Sequence, residues 1–199
     1  MSQQTPLMLQ YNKIKSEYPS EVLFFRLGDF YEMFNQDAIE VSRLLNLTLT
    51  HRGESPMCGI PYHAAKIYIA RLLRCGKKIA ICEQISLPIG GKGLAERKVI
   101  EVITPGTAVE EEYLEQGANN YLAALCAVKE DKGKIKLSFS YIDVSTGDFF
   151  ATSWDMENLE EKLLNELGRS NPRELVVAKS LYQNQLVRKA LESYPSLSV

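Results

Sequence analysis

The chain has 199 residues, of which 45% are hydrophobic and 24% are charged, and its formal net charge is −2 at pH 7. These values are typical of a globular protein with a real core, in one large domain or two small ones. No apolar stretch is long enough to span a bilayer, and the N-terminus lacks a signal-peptide pattern, which favours the cytoplasm. The chain has no broad basic excess, so by itself it should bind nucleic acid weakly.

The cysteine pattern indicates neither disulfides nor a metal site. Four cysteines stand among apolar residues without forming a CxxC pair: Cys58, Cys75, Cys82 and Cys126. This usage favours buried, reduced thiols. A zinc site built from three of them with His63 is rejected, because the spacing fits no common finger or ribbon.

The first part of the chain mixes helices and strands. Thr5 followed by Pro6 predicts a helix start, and Pro19 ends that helix. The elements predicted next are strands 22–27 and 30–34 around a Gly28-Asp29 turn, a helix 35–46, a strand 47–51, a loop 52–61, a helix from His63 to near Gly76, and strands 78–85 and 98–103. This mixture predicts a small α/β domain with a mixed sheet.

Residues 109–120 interrupt the pattern with three glutamates, Gly117 and two asparagines. We therefore assign residues 1–112 to a first domain, 113–120 to a linker and 121–199 to a second domain. The elements predicted in the second domain are a strand 121–128, a turn at Asp131-Lys132-Gly133, an alternating strand 135–141, a strand 148–153, a leucine-rich helix from Leu159 closed by Gly168, a strand 174–178 and a helix from Ser180.

The segment from Gly28 to Phe34 does not fit an ordinary half-buried strand. Period-two alternation places Phe30, Glu32 and Phe34 on one face. A core face would not normally hold a carboxylate between two phenyl rings, and a solvent face would not normally offer both rings. A nucleic-acid base suits the pattern, because it has a flat face for stacking and polar edges for hydrogen bonds. The pattern therefore predicts that Phe30 and Glu32 protrude together; the alternatives are a core phenylalanine and a solvated surface glutamate.

Gly-Asp-Phe-Tyr-Glu-Met-Phe at residues 28–34 closely resembles the Phe-x-Glu mismatch-reading motif of MutS-type DNA mismatch repair proteins. Further segments similar to that family follow the same order along the chain: residues 6–11, 57–64, 80–85, 96–99, 104–107 and 141–147. Several matches in order make the resemblance specific. It implies a mismatch-recognition domain followed by the first part of a ribonuclease H-like connector domain. Since the chain stops before such a fold is complete, we expect a fragment of a longer protein.

The resemblance implies that the ring of Phe30 enters the minor groove and stacks on a base, and that Glu32 hydrogen-bonds to that base. Unstacking costs less at a mispair than in paired DNA, so such a probe detects weak sites without reading sequence. Further candidate DNA contacts are Arg52 and Met57 near the groove and Lys92 and Lys98 beside a loop suited to phosphates. The alternative for each of these four is an ordinary surface side chain, because phosphate contacts have little positional signature.

No GxxxxGK[ST] or GxGxxG pattern is present, so the ATPase that the resemblance implies is not in this chain. We expect no enzyme activity and no cofactor in this fragment. For the complete protein, the resemblance implies ATP and magnesium as cofactors, mismatched double-stranded DNA as ligand, a homodimer, and a MutL-type partner that docks on the connector. It also implies a bacterial, nucleoid-associated cytoplasmic protein.

The sequence leaves two other functions open. In ribonuclease H-like nucleases an aspartate on the first strand binds a divalent metal, and Asp143 is the candidate here. The competing interpretation of Asp143 is a turn aspartate before Ser145-Thr146-Gly147. The second alternative is a module that only docks a repair partner.

Overall fold

A computed structural model describes residues 5–86, 93–129 and 134–199. The chain divides into two compact units, Met1–Ile103 and Thr104–Val199. Each unit has its own sheet and its own packed apolar cluster. Helices and strands are mixed in both units, which confirms the predicted α/β class. None of the helices within the described ranges combines the length and apolar character needed to cross a membrane.

The first unit is built around one mixed sheet. Its elements are α1 (Pro6–Glu17), β1 (Val22–Leu27), β2 (Phe30–Phe34), α2 (Asn35–Leu45), β3 (Thr50–Arg52), β4 (Ser55–Pro61), α3 (Ala65–Arg74), β5 (Ile79–Gln84) and β6 (Arg97–Ile103). The strands lie in the order β3-β4-β2-β1-β5-β6. The β1–β5 pair is parallel and the other neighbouring pairs are antiparallel.

Helix α1 begins where the sequence predicts. The side chain of Thr5 accepts a hydrogen bond from the Met8 amide at 3.3 Å, and Pro6 occupies the first helical position. The helix then packs on one face of the sheet, where the ring of Tyr11 meets Phe25 and Phe34 with centroids 5.4 and 4.9 Å away. We call this the α1 face.

A buried network fixes the end of β2 that α1 covers. The Asp37 carboxylate accepts hydrogen bonds from the Leu23 amide at 3.0 Å and from the Tyr11 hydroxyl at 3.3 Å, and it pairs with Lys15 at 2.9 Å. Burial, followed by the nearby Asp37 charge, raises the pKa of Tyr11, so its hydroxyl remains a donor. The Phe34 end of β2 is therefore anchored, and the Phe30 end lies at the tip of the β1–β2 hairpin.

The prediction that residues 52–61 form a loop is wrong. They contain strand β4, which pairs with β2 on one side and β3 on the other. Gly53, with φ of 62°, makes the tight turn between β3 and β4. Pro56 and Pro61 lie near the two ends of β4, where a strand tolerates the loss of an amide donor.

The second unit contains β7 (Tyr121–Lys129), β8 (Ile135–Asp143), β9 (Phe149–Asp155), α4 (Leu159–Ser170), β10 (Glu174–Val177), α5 (Lys179–Tyr182) and α6 (Gln185–Glu192). The strands lie in the order β10-β7-β8-β9, with β10 parallel to β7 and the other pairs antiparallel. The predicted order of three antiparallel strands, a helix and a strand is confirmed, but the single last helix predicted from Ser180 is two helices, α5 and α6. The predicted turn at Asp131-Lys132-Gly133 lies outside the described residues.

The predicted end of α4 at Gly168 is wrong. The helix continues to Ser170 and ends at Asn171, which adopts the left-handed conformation with φ of 44°. Gly168 serves packing instead: a methyl group there would lie 3.3 Å from the hydroxyl oxygen of Tyr194.

Residues 105–108, which the predicted limits assign to the first domain, contact Asn120 and Glu174 of the second unit. The Gly106 amide donates a hydrogen bond to Glu174 at 3.1 Å. The Asn120 side chain donates to the carbonyl oxygens of Pro105 and Ala108 at 3.0 and 3.2 Å. The second compact unit thus begins at Thr104, while the domain limits at 112 and 121 stay a prediction.

All four cysteines are free thiols, but only Cys58 and Cys82 are buried. Burial raises the pKa of Cys58 to about 11 and that of Cys82 to about 12, so both are protonated thiols at neutral pH. The expectation of burial is wrong for Cys75, which follows the last turn of α3, and for Cys126, which lies on β7. Apolar neighbours in sequence do not decide which face of an element a side chain occupies.

Candidate nucleic-acid interface

Phe30 is an exposed ring at the edge of a buried strand. It is 47% exposed, whereas the other four residues of β2 are buried. The two-residue turn before it contains Gly28, whose φ of 56° suits glycine. Alternation places Phe30 on the α1 face, but α1 packs on the Phe34 end of the strand. The prediction that the Phe30 ring is exposed is confirmed, and the core alternative is wrong.

Glu32 does not protrude beside Phe30, and this part of the prediction is wrong. The residue is 8% exposed. Its Oε1 atom lies 2.8 Å from Nη2 of Arg52, which is the last residue of β3. Glu32 is therefore neither a solvated surface glutamate nor an exposed probe, but a buried acid in an ion pair between an inner strand and the edge strand β3.

Gly59 is the β4 residue beside Glu32, and this placement was not found from the sequence. It lies directly opposite Glu32 on β4, between β2 and β3. A methyl group at Gly59 would sit 3.6 Å from Cγ of Glu32 and 4.0 Å from Cδ1 of Phe30. These distances are ordinary van der Waals contacts, and Arg52 on β3 reaches Glu32 on β2 from the other side of β4. Strand register decides this placement, so no sequence signal could reveal it.

The other predicted contacts do not all gather at this place. Met57 lies opposite Phe34, half-buried against the cluster beneath α1, so it shares the face of Phe30. Lys98 is exposed and lies opposite Glu83 on β5, on the other face of the sheet. Lys92 lies outside the described residues. The structure thus brings Phe30, Glu32, Arg52 and Met57 to one face.

The opposite face of the hairpin holds a second charged cluster. The Arg26 guanidinium lies 3.7 Å from the centre of the Tyr62 ring and 3.6 Å from Glu83. The Tyr31 hydroxyl donates a hydrogen bond to Glu83, and burial, followed by this contact, raises the pKa of Tyr31. The amide of Tyr62 also donates to the Asp29 carbonyl oxygen at 2.9 Å, which ties the end of β4 to the hairpin turn. These contacts stiffen the tip that presents Phe30.

Asp143 is a turn residue. Its Oδ1 accepts hydrogen bonds from the Ser145 amide and hydroxyl at 3.0 and 2.6 Å, and Oδ2 accepts one from the Asn120 amide at 2.9 Å. Burial raises the pKa of Asp143, but these hydrogen bonds outweigh it and hold the pKa below its usual range. Within the described ranges, no three His, Cys, Asp or Glu side chains are grouped to hold a metal ion. The geometry supports the turn interpretation over the nuclease.

Comparisons with known proteins identify the family of this chain. The family model for MutS domain I matches residues 5–112, and the model for MutS domain II matches residues 120–197. The proteins named DNA mismatch repair protein MutS from Treponema denticola, Treponema pallidum and Methanosarcina barkeri are 58%, 50% and 41% identical over 98%, 99% and 95% of this chain. The chain spans 22%, 21% and 22% of their lengths. With both domain models matched in order along most of its length, the chain belongs to the MutS family of DNA mismatch repair proteins.

Proposed function

We propose that this chain is the non-catalytic, DNA-inspecting part of a mismatch repair protein and that it recognises mispaired or unpaired bases in duplex DNA. The observation that carries the proposal is the exposure of the Phe30 ring, 47%, on a strand that is otherwise buried. A large apolar ring held at the stiff tip of a hairpin can be inserted between bases without unfolding the sheet.

Phe30 acts as the wedge in this proposal. Inserting a ring between base steps unstacks them, which costs about a few kcal/mol. A mispaired base has already lost part of its pairing and stacking, so the same insertion costs less there. Selectivity then arises from the deformability of the DNA and not from its sequence.

Glu32 supplies the polar contact. Once the ring has entered, a mispaired base offers donors that no partner base satisfies, and the carboxylate can accept a hydrogen bond from one of them. Arg52 and Met57 lie on the same face as Phe30 and Glu32, and contacts of either residue with the DNA stay predictions. Lys98 is exposed on the opposite face of the sheet. It could contact the same stretch of DNA only if the duplex extended around the edge of the sheet. Direct phosphate contacts by Lys92 and Lys98 remain predictions.

The test is Phe30→Ala in the complete protein. Base–aromatic stacking is worth about 1–3 kcal/mol per base, so the difference in binding free energy between mispaired and matched duplexes should shrink by that amount. Kd values for both duplexes at one fixed salt concentration measure it. Phe149→Ala is the matched control, because Phe149 is a 62% exposed phenylalanine in the second unit. Unchanged discrimination in Phe30→Ala would refute the wedge.

Properties of the complete protein extend this proposal. We infer a homodimer with an ATPase domain that uses ATP and magnesium, and a MutL-type partner that docks on the connector domain. Its place of work would be the bacterial cytoplasm, at the nucleoid. The net charge of −2 supports the inference that other parts of the complete protein bind the duplex while this chain inspects it, since a chain without a basic excess binds DNA weakly by itself.

A further inference from the structure

The ion pair between Arg52 and Glu32 suggests a role for Arg52 that differs from a direct DNA contact. We propose that Arg52 is a positioning residue for Glu32: it binds one carboxylate oxygen and leaves the other to accept a hydrogen bond from a mispaired base. This inference rests on the proposed function and names the residue that sets its specificity.

The two oxygens of Glu32 are in different situations. Oε1 is bound by Nη2 of Arg52 at 2.8 Å, with the Arg52 side chain 47% exposed and the Glu32 side chain 11% exposed. Oε2 is buried, and none of the residues that the structure describes donates a hydrogen bond to it. Buried carboxylate oxygens without a donor are rare in folded proteins and call for an explanation. A hydrogen-bond donor that a bound base brings to Oε2 would explain it.

This arrangement prepares Oε2 for binding. An exposed carboxylate must give up bound water before it can accept a hydrogen bond from a base, whereas Oε2 has already lost its water on folding. The side chain is also held in place by Arg52, so little rotamer entropy is lost when the base binds. The bases of a matched pair satisfy each other's pairing groups, so they gain less from this acceptor than a mispaired base does.

Arg52 also balances charge. DNA phosphates repel a bare carboxylate, and a guanidinium 2.8 Å away offsets that repulsion for every duplex. Removal of Arg52 leaves the largely buried Glu32 carboxylate without its partner, which costs stability, so urea denaturation of each variant accompanies the binding measurements.

Access to Oε2 links the acid to the wedge. The Phe30 ring and the Glu32 side chain lie beside each other above Gly59, with Cδ1 and Cγ 4.0 and 3.6 Å from the position of a Gly59 methyl group. In this proposal, a base that stacks on the Phe30 ring comes to lie beside the Glu32 side chain, within reach of Oε2 once the atoms that cover this oxygen have shifted.

The experiment is a double-mutant cycle in the complete protein. The readout is discrimination, defined as Kd for a matched duplex divided by Kd for the same duplex with one mispair. Arg52→Ala should lower discrimination by about tenfold, the effect of one hydrogen bond to a charged group. In a Glu32→Ala background, Arg52→Ala should lower it no further. Arg52→Lys should retain most of the discrimination, since it keeps the charge and one donor.

Controls separate this role from other effects. Arg43→Ala removes an equal charge from the exposed side of α2 and should leave discrimination unchanged. An equal loss in both Glu32 backgrounds, or an equal fall in affinity for both duplexes, would show that Arg52 contacts DNA itself and overturn the inference. If Glu32→Ala alone leaves discrimination intact, the inference and the proposed role of Glu32 both fall, while the wedge is judged separately by Phe30→Ala.

Discussion

Phe30 and Phe34 share a strand and a face but differ in surroundings. Phe34 is 1% exposed and packs edge-on against Tyr11 at 4.9 Å, whereas Phe30 is 47% exposed. The same residue type at two positions of a five-residue strand therefore does different work. Burial makes Phe34 part of the core, and the position of α1 leaves Phe30 available for a ligand.

This difference predicts opposite stability effects. Phe34→Ala should lower the free energy of unfolding by about 3–5 kcal/mol, because it leaves a cavity beneath α1. Phe30→Ala should change it by less than about 1 kcal/mol, because the ring is largely in water. Urea denaturation of the chain measures both. Equal destabilisation by the two variants would mean that the Phe30 ring belongs to the core and is not free to stack.

Glu32 and Arg52 show what residue identity alone cannot reveal. The spacing of Phe30 and Glu32 establishes that they share a face, and the structure agrees. Spacing says nothing about Arg52, which is twenty residues away along the chain and reaches Glu32 only because β3, β4 and β2 are adjacent. The burial of the acid is thus a consequence of strand pairing.

At the level of elements, the Asp143 carboxylate accepts several of the hydrogen bonds that hold the turn between β8 and β9. Asp143 accepts hydrogen bonds from Asn120 and Ser145, which hold its pKa in the folded chain below the usual range. A carboxyl group whose pKa is lower in the folded than in the unfolded state stabilises the fold at neutral pH. This contribution is complete above the unfolded pKa and is lost as the pH falls through the folded pKa.

Asp143→Asn should therefore be less stable than the parent chain at neutral pH, by about 1–3 kcal/mol. Its amide group would also place a donor against the donors of the turn. The parent chain should lose stability more steeply than the variant between about pH 5 and pH 3. Urea midpoints across that range measure the effect, with the exposed Asp155→Asn as control. Parallel pH curves for the parent chain and Asp143→Asn would contradict this role.

Two predictions about elements were wrong, the loop predicted for β4 and the end predicted for α4. Strand β4 carries two prolines and a glycine in seven residues, a composition typical of loops. It forms a strand because β2 and β3 pair with it on both sides. Helix α4 runs past Gly168 and ends at Asn171, which takes the left-handed conformation. Tertiary pairing overrides local propensity in β4, and the glycine at position 168 leaves space for the Tyr194 hydroxyl.

At the level of the whole molecule, the two compact units meet in sequence at Ile103 and Thr104. Gly106 is tightly enclosed in the second unit: a methyl group there would lie 2.8 Å from Cβ of Glu174 and 3.0 Å from Cδ1 of Leu122. Residues 104–108 thus pack on β7 and β10. This close contact explains why the second unit starts before the acidic segment that the sequence suggests as a boundary.

A piece spanning residues 104–199 should therefore be more stable than one spanning 113–199. The shorter piece loses the Gly106 hydrogen bond to Glu174 and both hydrogen bonds of the Asn120 side chain, and each such loss costs about 1–3 kcal/mol where the remaining group stays buried. Urea denaturation compares the two. As a control, residues 1–112 should gain nothing over 1–103. Equal stability of 104–199 and 113–199 would support a boundary near residue 112.

The sequence by itself determined the α/β class, most element positions, the shared face of Phe30 and Glu32, and the family, because these follow from local periodicity and from motifs that are contiguous in the chain. Tertiary structure alone decided that α1 leaves Phe30 uncovered, that β4 is a strand, and that Arg52 holds Glu32 across Gly59. These features depend on contacts between residues distant in sequence, whose pairing is set by the register and packing of the whole sheet.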